Sequence, residues 1–145
     1  MILKASSRAN GFDLAVHLMN GYDNEQVELA EVRGTIADDL YGAFAEFEAI
    51  ASGTRAKKPL YSLSMNPAEK LTRAQYAEAI DAIEGKLGLS GQPRIVVFHI
   101  KEGREHAHIV WSRIDADAMK AVHMSYDHSK LMDMAVQLAE KFGHN

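Results

Sequence analysis

A chain of 145 residues with 47% apolar and 25% charged residues has the composition of one ordinary folded domain with its own hydrophobic core. It contains no cysteine, which excludes a disulfide framework, a thiolate metal site and a cysteine nucleophile; any metal must be held by nitrogen and oxygen. The formal net charge of −4 argues against a nonspecific nucleic-acid coat, and no segment approaches a signal peptide or a membrane span, so a soluble intracellular protein is expected.

In chain order, Met1 to Ala5 reads as a short strand and "SSRANG" as a loop whose Ser and Asn suit the opening of a helix. A helix is expected over Gly11 to Met19, with Phe12, Val16 and Met19 at helical spacing, and "NGYDN" reads as a turn. "VELAEVRG" alternates as a half-buried strand, with Val27, Leu29 and Glu31 on one face and Glu28, Ala30 and Val32 on the other. Leu40, Phe44, Phe47 and Ile50 then predict a helix from Ala37 to about Ser52, closing at Gly53. "PLYSLSMNP" is a strand bounded by prolines, with Leu60, Ser62 and Ser64 on one face and Tyr61, Leu63 and Met65 on the other.

The clearest helix follows: Thr72 is its N-cap, Tyr76, Ile80, Ile83 and Leu87 are its apolar stripe, and Gly88 is its end. Arg94 to Ile100 and His106 to Ile114 are strands that "KEGR" joins into a hairpin, and a last helix turns Leu131, Met134, Ala135 and Leu138 inward. About five strands and four helices without a linker or repeat predict an α+β fold, a central antiparallel sheet with helices packed mainly on one face.

Three of the seven histidines fall inside that hairpin. His106 and His108 share a strand face, and pairing across "KEGR" sets His99 opposite or nearly opposite His106, so the three imidazoles converge. One strand histidine alone is more often a hydrogen-bonded structural residue; the third in register is what points to a divalent-ion site with open coordination positions. Glu102, in the turn, adds an oxygen ligand or orients a histidine. Basic residues gather at Arg55, Lys57 and Lys58 and again at Lys101 and Arg104 beside the histidines.

The run His99, Glu102, His106 and His108, continuing as the apolar "HAHIVWSR", resembles the HUH-type metal motif of plasmid relaxases, the mobilisation nucleases that nick one DNA strand at a transfer origin. The spacing in "HIKEGREHAH" is similar to the MobV type; the MobP type more often has an aspartate where this chain has Lys101. In the same resemblance "LYSLSMNP" looks like the serine-bearing strand, with Ser64 at the position that contacts DNA beside the cut phosphate. "DLAVHLMNG" looks like the nucleophile helix, with His17 where MobP relaxases carry tyrosine; histidine nucleophiles occur in the MobV type. The likeness spans roughly residues 2 to 143.

The resemblance implies a metal-dependent, site- and strand-specific DNA endonuclease that works by transesterification and stays joined to the 5′ end. It implies Mn²⁺ or Mg²⁺ on His99, His106 and His108, catalytic roles for Glu102 and Ser64, and His17 as nucleophile, with Tyr22 the alternative. An unperturbed imidazole is mostly free base at pH 7, whereas a tyrosine must first lose a proton. Arg55, Lys57, Lys58, Lys101, Arg104 and Lys130 are candidate phosphate contacts, and Trp111, Phe98, Tyr61 and Tyr126 are candidate base-stacking platforms that at strand and helix positions are more often core. Implied partners are single-stranded DNA at a transfer origin, accessory mobilisation proteins and a type IV secretion coupling protein in the bacterial cytoplasm. The chain is expected to be one relaxase domain, the N-terminal part of a longer protein. Two other readings stay open: a relaxase-like module that binds DNA or a protein without cutting, and a metal-dependent hydrolase of small phosphoesters.

Overall fold

The computed structural model describes residues 1–20 and 26–144. In chain order the elements are β1 (Ile2–Arg8), α1 (Gly11–Leu18), β2 (Gln26–Arg33), α2 (Leu40–Ala51), β3 (Leu60–Asn66), α3 (Arg73–Leu87), β4 (Arg94–Lys101), β5 (Arg104–Ser112), the short pair β6 (Ile114–Asp115) and β7 (Lys120–Ala121), and α4 (Asp127–Lys141). β1 to β5 form one antiparallel sheet in the order β1-β3-β5-β4-β2. The expected α+β fold with a five-stranded antiparallel sheet and four helices is what the chain adopts. The turn read in "NGYDN" falls, apart from Asn20, outside the described residues.

The helices divide between the two faces, where the sequence reading put them mainly on one. α3 and α4 cover Tyr61, Leu63, Met65, Val96, Phe98, Ala107, Ile109 and Trp111; α1 and α2 cover Leu60, Ile95, Val97 and Val110. The reason lies in the central strands: "IVVF" and "IVW" are continuous apolar runs, and a strand apolar on both faces needs cover on both. Trp111, Phe98 and Tyr61 are therefore core side chains, all 5% exposed or less, and are not available to stack on bases.

Local departures from the expected elements have similar causes. β1 runs on to Arg8, because the whole of Ile2–Arg8 pairs with β3 and its polar residues point to an uncovered face. In β2 a register shift between Leu29 and Glu31 leaves Ala30 as an extra residue, so Val32, not Glu31, joins Val27 and Leu29 against the α1–α2 core. On α1 the stripe Phe12, Val16 and Met19 faces solvent, and Leu14, Ala15 and Leu18 are buried instead. α3 is as read: Thr72 and Gln75 form a reciprocal capping box, and Gly88 ends the helix in the left-handed conformation.

One buried carboxylate ties the α3 layer to the sheet. Glu84 Oε1 accepts from Trp111 Nε1 at 2.8 Å, from Arg94 Nη1 at 3.0 Å and from Arg33. Arg94 in turn holds Asp81 and Glu31, so β2, β4, β5 and α3 meet in one network. Burial pushes the Glu84 carboxyl up, but the Trp111 and Arg33 hydrogen bonds and the Arg33 and Arg94 charges outweigh it and hold the group below its ordinary value. Glu84→Ala is expected to lose about 3 kcal/mol in urea unfolding at neutral pH, because it takes one partner from the buried Arg94 guanidinium and leaves the buried Trp111 Nε1–H without its acceptor. The gap from the parent should shrink as pH falls through the lowered carboxyl value, since that contribution exists only while the folded carboxylate is ionised.

Candidate active site

The β4–β5 hairpin closes with a two-residue turn, Glu102 and Gly103, both left-handed at φ 53° and 74°. Lys101 therefore pairs with Arg104, and counting back along the ladder sets His99 directly opposite His106. His108 is two residues further along β5, on the same face, between Val97 of β4 and Ser64 of β3. A slip of one residue would turn His106 and His108 to the opposite face, so the turn fixes the site as well as the sheet.

The three rings lie with centroids 4.5 to 5.3 Å apart, and each offers a nitrogen within 4.8 Å of the others. Burial, then the neighbouring imidazoles, depresses all three below the ordinary histidine range, His108 to about 3. They are neutral at pH 7, the form that donates a lone pair to a metal. His99 is buried, and its Nε2 lies 2.5 Å from the backbone carbonyl of Leu18. With Nε2–H donating there, Nδ1 is left free for a metal, and a second partner of this kind is what a ligating histidine usually has. The donor set fits a divalent ion, and His99, His106 and His108 would hold it.

The same hydrogen bond places the next residue back. Leu18 is the last residue of α1, where helix carbonyls lack intrahelical partners, and His99 takes one of them. That contact docks the final helical turn on the triad. His17, exposed on that turn, lines a pocket of about 220 Å³ together with Ser64 and His108, and it lies near enough to depress both His99 and His108. Ser64 opposes His108 in register, and its Oγ accepts from Asn66 Nδ2 at 3.1 Å.

The remaining sequence candidates are spread unevenly. Glu102 is exposed at the hairpin tip, outside the three-residue cluster. Lys101 and Arg104 flank it and line a wider opening of about 640 Å³ with His106. Arg55, Lys57 and Lys58 are exposed on the α2–β3 loop, beyond the Leu60 end of β3, and line none of these openings. Lys130 and Tyr126 belong to α4 and its start, on the far side of the sheet. Tyr22 lies outside the described residues. The sequence reading passed over Lys4, Arg8 and Asn66; the period-2 pattern of a strand extended to Arg8 is the signal that finds the first two.

A family model described as the MobA/VirD2-like nuclease domain of relaxases matches residues 17–144. The chain belongs to this family. Relaxase nuclease domains nick DNA, bind single strands and in general depend on a metal ion. Comparison with curated proteins returns no match. The match begins at His17 and takes in the histidine triad and Ser64 of the relaxase domain, while β1 precedes it. Among the described residues no helix is long and apolar enough to cross a membrane.

Removing any one imidazole in His99→Ala, His106→Ala or His108→Ala should weaken Mn²⁺ binding in calorimetry by at least about 100-fold, more than is usual for loss of an outer partner. Glu102→Asn should leave the affinity within about threefold. It should also stabilise the fold by about 1 kcal/mol, because asparagine tolerates the left-handed turn conformation better than glutamate.

Proposed function

We propose that this relaxase domain nicks single-stranded DNA at a transfer origin by transesterification, with His17 as the nucleophile. The observation that carries the reading is the docking of the last turn of α1 on the triad through Leu18, which puts His17, Ser64 and His108 around one pocket. A scissile phosphate seated there meets the His17 ring on one side and the triad on the other. The lone pair of His17 forms a nitrogen–phosphorus bond as the phosphorus–O3′ bond breaks. The 3′ oxygen leaves and takes up a proton, and the attacking imidazole releases its remaining N–H proton to solvent. The 5′ end is left joined to His17 as a phosphoramidate.

His99, His106 and His108 would hold a divalent ion, whose positive charge would offset the negative charge that grows on the phosphate in the transition state. An all-nitrogen donor set suits Mn²⁺ better than Mg²⁺, which prefers oxygen and water. Ser64, whose Oγ accepts from Asn66 Nδ2, lines the same pocket and would offer its hydroxyl to that phosphate.

The test uses labelled single strands tiled across candidate transfer origins in the DNA that flanks the protein's own coding sequence, with Mn²⁺, on denaturing gels. The parent should form a covalent adduct that is labile to acid, as a phosphoramidate is and a phosphotyrosine is not. His17→Ala should lose at least about 10³-fold in adduct formation, while Tyr22→Phe keeps it. An acid-stable adduct that survives His17→Ala would overturn the assignment, and binding without any adduct would mark a non-cleaving module.

A further inference from the structure

The two openings beside the triad share one side chain that the reading above does not use. Lys4 of β1 lines both the smaller pocket, with His17, Ser64 and His108, and the wider one, with Asn66, Lys101, Arg104 and His106. Its position follows from register: Lys4 pairs with Ser64 and Ser64 with His108, so the three lie in one row across three strands. Two strand spacings separate Lys4 from His108, about 10 Å between backbones. A lysine and a phosphate together bridge that gap. Arg8 lies on the same face four residues on, about 13 Å further along the strand. It lies beside the first residue of β3, where the Arg55–Lys58 loop enters the sheet, since Arg8 pairs with Leu60.

Charge separates these walls from the rest of the molecule. Among the described residues that line the two openings, Lys4, Arg8, Lys101 and Arg104 are cationic and Glu102 alone is acidic, on a chain whose net charge is −4. Lys4, Ser6 and Arg8 are all exposed, while Leu3 and Ala5 on the reverse face are half-buried against the α3–α4 core. A strand that keeps its cations on the uncovered half of the site face has no packing use for them. β1 also lies outside residues 17–144, so the family match assigns it nothing.

We infer that the exposed face of β1 is the track that carries the substrate's phosphate backbone through the site, with Lys4 as a positioning residue that holds a phosphate next to the one cut. This rests on the nicking reading and names the surface that serves it: Lys101 and Arg104 at one end, Lys4 beside the triad, Arg8 leading to Lys57 and Lys58. The ligand chemistry is a single-stranded phosphodiester chain, gripped by charge and not by base edges.

Fluorescence anisotropy with labelled single strands of several sequences, in chelator so that nothing is cut, reads the inference directly. Lys4→Ala and Arg8→Ala should each weaken binding about equally for every sequence and lower the slope of log affinity against log salt by about 0.7, the value for one lost single-strand phosphate contact. Lys4→Arg should restore the slope. Lys86→Ala, which removes the same charge from the far end of α3, should leave it unchanged. In single-turnover nicking at saturating DNA, Lys4→Ala should also slow the step about tenfold or more, with Mn²⁺ affinity as in the parent. A parent-like salt slope in both Lys4→Ala and Arg8→Ala overturns the track, and if those variants still form the adduct the nicking reading stands without it. Failure of the parent to bind single strands overturns both.

Discussion

The constraint on which the site depends is the register of one hairpin. Two left-handed residues, Glu102 and Gly103, close the turn, and from them the pairing of His99 with His106 and the position of His108 follow by counting. The same register sets Ser64 beside His108 through β3, and Lys4 beside Ser64 through β1. A longer or slipped turn would scatter these groups over two faces and leave histidines in the α3–α4 core. The energetic cost of a glutamate at positive φ falls at the tip, where solvent surrounds the side chain and no neighbour is displaced.

The second dependence is between the sheet and α1. A helix end leaves carbonyls without partners, and a buried imidazole needs a partner for its second nitrogen. The Leu18–His99 hydrogen bond satisfies both, and it links the position of His17 to the orientation of a triad member. The apolar residues Leu14, Ala15 and Leu18 hold α1 against Val97 and Val110, just beside the histidine row. The helix thus covers one half of the site face and leaves the β1 half open.

Much of this was legible in the sequence because the relevant signals are local. The α3 cap and stripe, the alternation in "LYSLSMN" and the hairpin with three converging histidines all depend on spacing within one or two elements. What was not legible depends on neighbours distant in the chain. Phe12, Val16 and Met19 make as good a helical stripe as Leu14, Ala15 and Leu18, and only the docking surface decides which is buried. The extra residue at Ala30 inverts the faces of β2 without altering its composition. The division of helices over two faces was signalled by the unbroken apolar runs of β4 and β5, but a hairpin is more readily read as half-exposed. Lys4 and Arg8 were passed over for a related reason: a strand ended at Ala5 never shows that its polar residues fall on the same face as the histidines.

The electrostatics of the site explain why β1 should matter to a polyanionic substrate. Burial keeps the three imidazoles neutral, which makes them good donors to a cation but gives them no attraction of their own for phosphate. The chain as a whole is acidic, so its long-range field does not draw nucleic acid in either. Attraction must then come from fixed cations close to the row, where screening by salt is weakest. The hairpin supplies Lys101 and Arg104 on one side, and among the described residues that line the two openings β1 supplies the others, Lys4 and Arg8. A neutral, largely enclosed triad beside an exposed cationic strand would divide the work in the proposed reaction: the first would hold the ion at the reacting phosphate, and the second the phosphates around it.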